Sequence, residues 1–198
     1  MGEYVVLDLE TTGLSKKRHR ITEIAAVRVK KNKVVDEFQC LVNPEQRIPS
    51  FITRLTGITN DMVKTAEPIN KVLPEFIEFL GNSPIIAHNA SFDYGFIEHN
   101  AKKHLDVCIE NPRLCTRKLA NRLLPELPSK RLGWICEHFE IINQQAHRAM
   151  SDVLATTEVF YKFLDMVKDE GIKSEAELVK FEKSPRRRKW FNLILMVV

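Results

Sequence analysis

The chain has 198 residues, of which 44% are hydrophobic and 28% charged; these proportions exclude wholesale disorder and fit one domain with a buried core. The formal net charge of +4 permits a polyanionic partner without requiring one. The longest apolar run, residues 193–198, is far too short to span a bilayer, and the four cysteines show neither a C-x-x-C pair nor zinc-site spacing. We therefore expect a cytoplasmic protein with reduced thiols that does not enter a membrane.

The first half of the chain predicts three strands followed by short helices. A polar stretch at residues 30–33 separates the second strand from the third and favours a hairpin. Apolar residues at helical spacing predict a helix that ends at Gly81, with Pro74 tolerated in its first turn. The predicted elements are strands at residues 4–9, 21–29 and 34–42, a loop at 43–50, a short helix and a turn around Gly57 within 52–63, and a helix at about 72–80.

The second half of the chain alternates strands with helices. Ser91 is placed as the N-cap of the first of these helices and Thr116 as the N-cap of the second. A hairpin followed by alternating helices and strands predicts an α/β domain whose mixed sheet of about five strands is flanked by helices. The predicted elements are strands at residues 84–87 and 113–115 and helices at about 92–104, 116–124, 130–139 and 149–167.

The character of the chain changes after about residue 171. We interpret residues 1–170 as the main domain and residues 171–198 as a charged and basic C-terminal extension. Within the extension, a charged helix is expected at residues 174–183, before a basic run that begins at Ser184. Both a solvated linker and a truncated element remain open for this end of the chain.

Two acids interrupt the apolar strand near the start of the chain. Asp8 and Glu10 are two residues apart, so both side chains point to one face of the strand, roughly 7 Å apart along it. Burying an unpaired carboxylate is costly, which favours a cation as their partner. Two exposed acids on an edge strand are the alternative.

Two further acids and a histidine stand near the starts of later helices. Asp93 falls in the first turn of one helix, and Asp152 lies at the head of the last long helix, five residues after His147. Five helical residues turn through about 500°, so these two side chains would diverge by about 140° within one helix. To serve one site, His147 must therefore lie on a loop that precedes the helix and folds back over it.

Four acids from three elements suit a cage for two Mg²⁺ or Mn²⁺ ions, because hard divalent cations prefer carboxylate and water ligands. Two such ions can clamp a phosphate, and a histidine is the natural proton acceptor at neutral pH. An ordinary helix-start acid for Asp93 and a surface loop histidine for His147 are the alternatives left open.

Four segments in order resemble the DEDDh exonucleases, most closely the proofreading ε subunit and the PolC-type exonuclease domain of bacterial polymerase III. The resemblance covers about residues 3–168. The segments are D-L-E-T-T-G-L at residues 8–14, L-T-G-I-T at 55–59, H-N-A-S-F-D at 88–93 and H-R-A-M-S-D at 147–152.

This resemblance implies a ribonuclease-H-like fold and two-metal hydrolysis of nucleic acid from a 3′ end, releasing nucleoside 5′-monophosphates. It implies that Asp8, Glu10 and Asp152 hold the first metal. Asp8 would also bridge to the second, and Asp93 would help directly or through a water. His147 would be the general base.

The resemblance also implies a set of substrate-binding residues, each with core packing as the alternative. The terminal-nucleotide pocket would be lined by Thr11, Thr12 and Leu14. Leu55 and Ile58 would wedge against the terminal bases, and Asn89 and Phe92 would shape the path of the strand.

The first interpretation is a 3′→5′ exonuclease acting on single-stranded or frayed DNA ends in proofreading or repair, with a DNA polymerase subunit as a candidate partner. An exoribonuclease that trims RNA or short oligonucleotides is the alternative with the same chemistry. A non-catalytic module that binds nucleic acid or a polymerase is the alternative of another class, although a degenerate copy is expected to have lost one of the five reactive residues.

Overall fold

The structure, a computed structural model, describes residues 2–169, 171–172 and 174–184. The predicted apolar end and all of the basic run after Ser184 lie outside the described residues. In the described part, no helix combines the length and the apolar character needed to cross a membrane.

A five-stranded mixed sheet forms the centre of the domain, as predicted. Its spatial order is β3-β2-β1-β4-β5, with β1 antiparallel to β2, β2 antiparallel to β3, and β4 parallel to both β1 and β5. The strands are β1 (Glu3–Thr11), β2 (Ile21–Lys30), β3 (Lys33–Leu41), β4 (Ile85–Ala87) and β5 (Arg113–Cys115).

The predicted hairpin joins β2 to β3 through Lys31 and Asn32. Both residues have left-handed backbones, with φ of 51° and 57°. Two such residues in a two-residue loop match the right-handed twist of the flanking strands. The tight turn thus follows from the polar stretch between two apolar runs.

Helices cover both faces of the sheet. They are α1 (Ser50–Thr56), α2 (Asn60–Val63), α3 (Ile69–Leu80), α4 (Ala90–Leu105), α5 (Thr116–Leu123), α6 (Leu132–His138), α7 (Ala149–Asp169) and α8 (Glu175–Lys183). On one face, Leu7 of β1 packs in a core with Phe76 of α3 and Ile97 of α4. On the other face, Val6 packs in a core with Phe160 of α7.

This alternation decides where the acids of β1 point. Tyr4 and Val6 belong to the core beneath α7, whereas Val5, Leu7 and Leu9 belong to the core beneath α3 and α4. Because side chains alternate along a strand, Asp8 and Glu10 continue the α7 face. They emerge at the end of the sheet where α7 begins.

Three predicted local details are wrong. Pro74 lies in the second turn of α3, where its ring nitrogen cannot bond to the carbonyl of Asn70, and the helix tolerates this loss. The N-cap of α4 is Asn89, not Ser91, because Asn89 adopts a left-handed backbone with φ of 80° and the helix starts directly after it. The N-cap of α5 is Cys115, not Thr116.

The described part of the C-terminal extension packs against the domain. Leu178 of α8 is fully buried, and Arg122 of α5 stacks over the Phe181 ring with its Cζ 4.3 Å from the centroid. Glu182 accepts a hydrogen bond of 3.1 Å from the backbone N–H of Cys115 on the edge strand β5. The division of the chain at residue 170 stays a prediction.

Candidate active site

The candidate site lies where β1 ends and where α4 and α7 begin. The first turn of α4 carries Asp93, and the first turn of α7 carries Asp152. The helix starts bring these acids towards Asp8 and Glu10 of β1. The structure thus gathers the four acids from three elements.

Asp93 is tied directly to β1. Its side chain is only 2% exposed, and its Oδ1 accepts a hydrogen bond of 3.2 Å from the backbone N–H of Leu9. Leu9 stands between Asp8 and Glu10, so this bond fixes the start of α4 beside both acids.

Glu10, His147 and Asp152 form a compact group. Each offers one potential ligand atom, and these atoms all lie within 4.8 Å of one another. His147 precedes α7 and has a left-handed backbone with φ of 66°. This conformation turns the loop back over the helix, as the five-residue spacing requires.

Both oxygens of Asp152 are held by hydrogen bonds. The backbone N–H of His147 donates to Oδ2 at 3.0 Å, and the side-chain amide of Asn143 donates to Oδ1 at 2.5 Å. Ser151 Oγ donates to Asn143 Oδ1 at 2.6 Å and orients that amide. The carboxylate is therefore positioned before any cation binds.

Three of the acids, Asp8, Glu10 and Asp93, hold protons more tightly than free carboxyl groups do. Burial, followed by the charges of Asp93, Glu10 and Asp152, raises the pKa of Asp8 well above its usual value. Burial and the charges of Asp152 and Glu23 raise the pKa of Glu10 to about 8. Burial raises the pKa of Asp93 to about 7. Without a cation, these carboxyl groups therefore favour their neutral, protonated forms, and a bound cation would favour the ionised forms.

A fifth acid, Glu23 of β2, stands opposite Glu10 in the β1–β2 register and is 1% exposed. Arg148 neutralises it with two hydrogen bonds, Nη2 to Oε1 at 2.9 Å and Nε to Oε2 at 3.2 Å. The backbone N–H of Ala149 also donates to Glu23 Oε2, at 3.1 Å. The pair anchors the start of α7 to the sheet.

The sequence interpretation did not identify Glu23, Arg148 or Asn143. One signal was available for Glu23, because it interrupts an apolar strand just as Asp8 does. Its pairing with Arg148 depends on how the start of α7 packs against β2, and local spacing does not reveal that.

Two predicted pocket residues, Thr11 and Thr12, are buried, and their side chains form hydrogen bonds that stabilise the loop after β1. Thr11 Oγ1 donates to the carbonyl of Gly13 at 2.8 Å. Thr12 Oγ1 accepts from the Arg20 backbone N–H at 3.0 Å and from Gln46 Nε2 at 2.5 Å. These bonds hold the loop in shape and leave Leu14 projecting, 85% exposed.

The remaining predicted substrate-binding residues divide into accessible and packed ones. Leu55 of α1 is 50% exposed, but Ile58 is fully buried with Ile48 and its neighbours. Ile58 therefore packs in a small core, and the structure does not bring it to the surface with Leu55. Asn89 is exposed, while Phe92 is half-buried against Phe96.

The donor set fits hard divalent cations. Asp8, Glu10, Asp93 and Asp152 supply carboxylate oxygens. Burial raises the pKa of Asp8, Glu10 and Asp93, and neighbouring carboxylates raise those of Asp8 and Glu10 further; a bound cation would favour the ionised forms. His147 adds a ring nitrogen close to the carboxylates of Glu10 and Asp152.

Comparison with known proteins agrees with this geometry. The exonuclease family (RNase_T) matches residues 5–160. The chain is 46% identical over 177 residues to a DNA polymerase III PolC-type protein of Caldanaerobacter subterraneus subsp. tengcongensis, covering 89% of this chain and 13% of that protein. It is 41% identical over 176 residues to the Bacillus subtilis PolC-type protein, covering 88% and 12%. The chain thus spans only a small part of these relatives.

Solved structures show the same fold. Exonuclease X, solved in complex with 5′ overhanging duplex DNA, superposes with a TM-score of 0.70 at 27% identity, covering 90% of this chain and 99% of that one. Escherichia coli exonuclease I, solved with a dT13 oligonucleotide, superposes with a TM-score of 0.73 at 19% identity, covering 86% and 42%. By its family match, its relatives and its fold, this chain belongs to the exonuclease family.

Proposed function

We propose that the chain is a metal-dependent 3′→5′ exonuclease that hydrolyses single-stranded or frayed DNA ends to nucleoside 5′-monophosphates. One observation supports this proposal most strongly. Acids from β1, α4 and α7 converge at one end of the sheet, with His147 within 4.8 Å of two of them.

Two Mg²⁺ or Mn²⁺ ions are the cofactors that this donor set suits. Asp8, Glu10 and Asp152 would hold one ion, and Asp8 would be shared with the second, assisted by Asp93 directly or through a water. Such ions, when bound, activate a water and neutralise charge on the phosphate. Four carboxylates from three elements support this assignment.

The residues of the chain itself handle the proton and the geometry. His147 accepts the proton of the attacking water, because an imidazole is a base of suitable strength near neutral pH. Asn143 and the His147 backbone hold Asp152 in place. The Arg148–Glu23 pair fixes the first turn of α7 at the sheet.

The terminal nucleotide lies over the loop that carries Thr11, Thr12 and Leu14. Leu14 and Leu55 are exposed apolar side chains, and unstacked bases offer faces for such contacts. Asn89 and Phe92, at the start of α4, border the path of the strand. Ile58 contributes by supporting this surface from beneath, because it is fully buried.

The relatives support a DNA substrate. The PolC-type proteins are described as DNA polymerases, and exonuclease X was solved with DNA. We therefore propose that the chain works with a polymerase, in proofreading or repair. All four cysteines are free, which supports the cytoplasm as its compartment.

Matched single-stranded DNA and RNA oligomers, labelled at the 5′ end and incubated with Mn²⁺, test this function. The expected result is a ladder shortened from the 3′ end, with DNA degraded faster than RNA and a chelator stopping both. Faster cleavage of RNA would assign the exoribonuclease function instead. No cleavage of either oligomer would leave the non-catalytic module as the function.

A further inference from the structure

A cluster of positive charge lies beside the proposed pocket, formed by a loop and a helix. Lys16, Lys17 and Arg20 come from the loop between β1 and β2, and Lys103 comes from α4. We call these four cations, together with His99 of α4, the basic ridge. His99 and Lys103 are four residues apart, so they share one face of the helix.

The loop is fastened to α4. Lys16 Nζ lies 3.4 Å from Glu98 Oε2, and its side chain crosses the helix at Gly95. His99 lies close to the four cations of the ridge. Burial lowers the pKa of His99, and the charges of Lys16, Lys103, Arg20 and Lys17 lower it further. The cations of the ridge therefore act on one patch of surface.

The loop is also rigid. The Ser15 backbone N–H donates to His19 Nδ1 at 3.0 Å, and the His19 ring packs on Gly13 so closely that a Cβ there would lie 2.6 Å from it. The Thr12 backbone N–H donates to the Arg20 carbonyl at 2.8 Å. These bonds fix the ridge to the loop that carries Thr12 and Leu14.

Two cations of the ridge are available to a ligand. Lys17 and Lys103 are exposed, and neither forms a salt bridge with any residue that the structure describes. Like charges that are held close together repel one another and destabilise the folded loop. A bound ligand of opposite charge would relieve this repulsion. A regular row of phosphates is such a ligand.

We propose that the basic ridge binds backbone phosphates of the single-stranded DNA upstream of the terminal nucleotide. This inference rests on the proposed function, because it requires the 3′ end to occupy the acid cluster. The strand would then pass over Leu14 and continue along Lys17 and Lys103. Longer strands would gain affinity from the ridge, and a mononucleotide would not.

The test compares two variants of the 198-residue chain with equal loss of charge. Lys17→Gln/Lys103→Gln removes two cations of the ridge. Lys31→Gln/Lys33→Gln removes two cations from the hairpin at the opposite end of the sheet. Binding of a fluorescent 12-nucleotide DNA strand is measured by anisotropy with a fixed concentration of Ca²⁺ in place of Mn²⁺, since Ca²⁺ also takes oxygen ligands, between 50 and 200 mM salt.

The ridge variant is expected to bind about tenfold more weakly at 50 mM salt. Its plot of log affinity against log salt should be shallower by about 1.4, since each phosphate contact to a single strand contributes about 0.7. The hairpin variant is expected to match the wild type. Equal slopes for the ridge variant and the wild type, or equal losses in both variants, would overturn the inference.

A parallel assay separates this inference from the proposed function. The wild type is given the p-nitrophenyl ester of thymidine 5′-monophosphate with Mn²⁺, a substrate too short to reach the ridge. Release of p-nitrophenol establishes the active site independently. If the wild type hydrolyses the ester but the ridge variant has the same salt slope as the wild type, only the role of the basic ridge is rejected. If the wild type hydrolyses neither the ester nor DNA, the proposed function is rejected.

Discussion

The backbone N–H of His147 donates a hydrogen bond of 3.0 Å to Asp152 Oδ2. The residue proposed as the general base thus supports a proposed metal ligand through its main chain, while its side chain remains exposed. This separation of roles within one residue makes them testable independently, because a side-chain substitution leaves the peptide N–H in place.

Replacing His147 by alanine is expected to lower kcat by about 10²–10⁴-fold, the range typical of general base catalysis, with metal affinity unchanged. Hydrolysis rates and metal titrations by calorimetry measure the two effects. Asn143→Ala is the contrasting variant: it removes a hydrogen bond to Asp152 Oδ1 and should weaken metal binding about 10–100-fold. Loss of metal binding in His147→Ala itself would contradict the separation of roles.

Asp8→Ala is expected to reduce the rate of hydrolysis by about 10³-fold or more, because Asp8 is proposed to bind both ions. This loss corresponds to about 4 kcal/mol of transition-state stabilisation. Without metal, the variant should be at least as stable as the wild type, because it removes one of several repelling buried carboxyl groups. Rates and thermal melts measure this. Glu126→Ala, an exposed acid, is the control; equal turnover by Asp8→Ala and wild type contradicts the mechanism.

The metal-free protein should lose stability as pH rises. Glu10 has a pKa of about 8 when folded against an ordinary value of 4.5, and Asp93 about 7 against 3.8. For each group, between its ordinary pKa and its folded pKa, the folded state keeps a proton that the unfolded state has released. The free energy of unfolding therefore falls from about pH 3.8 to about pH 8.

In a chelator, Tm should fall between pH 5 and pH 8 by at least about 2–4 °C, the shift that 1 kcal/mol produces in a domain of this size. Melting curves with and without Mg²⁺ measure it. Bound Mg²⁺ should restore the lost stability at pH 8, and Glu10→Gln should flatten the pH dependence. A Tm that rises with pH in the chelator contradicts this electrostatic account.

Arg148→Met should destabilise the protein by about 3 kcal/mol, because it leaves Glu23 buried and unpaired beside Glu10. Chemical denaturation measures the loss. The double variant Glu23→Gln/Arg148→Met should recover most of it, since no uncompensated charge then remains. If the double variant is as unstable as Arg148→Met, packing of the arginine matters more than its charge.

Glu182→Ala should cost about 1–3 kcal/mol, since the buried Cys115 N–H loses its acceptor on the edge strand β5. Lys180→Ala, which truncates an exposed side chain on the same helix, is the matched control. Denaturation midpoints compare the two. Equal stabilities would show that α8 is not needed to complete the domain.

Features that depend on short-range spacing were predictable from the sequence. The strands around Asp8 show as apolar runs, and the loop position of His147 follows from helix geometry. The Glu23–Arg148 pair was not predictable, because it joins residues 125 apart in sequence through the packing of the start of α7 against β2. The N-cap of α4 was misplaced because the left-handed backbone of Asn89 is not evident from residue type.

The site residues also divide into those that short-range spacing predicts and those that depend on tertiary packing. The convergence of acids from three elements follows once the strand and the two helix starts are placed. The burial of Ile58 depends on Ile48 and on Ile52 of α1, which fold over it. Apolar residues near a turn look alike in a sequence, and only packing separates Ile58 from the exposed Leu55.

The strand β1 lies at the centre of the sheet with a hydrophobic core on each side, whereas His147 sits on an exposed loop. Hydrogen exchange at Leu7 and Leu9 should therefore require global unfolding, while amides around His147 exchange through local opening. The proposed metal ligands of β1 would thus be held as long as the protein is folded. His147, the proposed base, could leave and return between turnovers without unfolding of the domain.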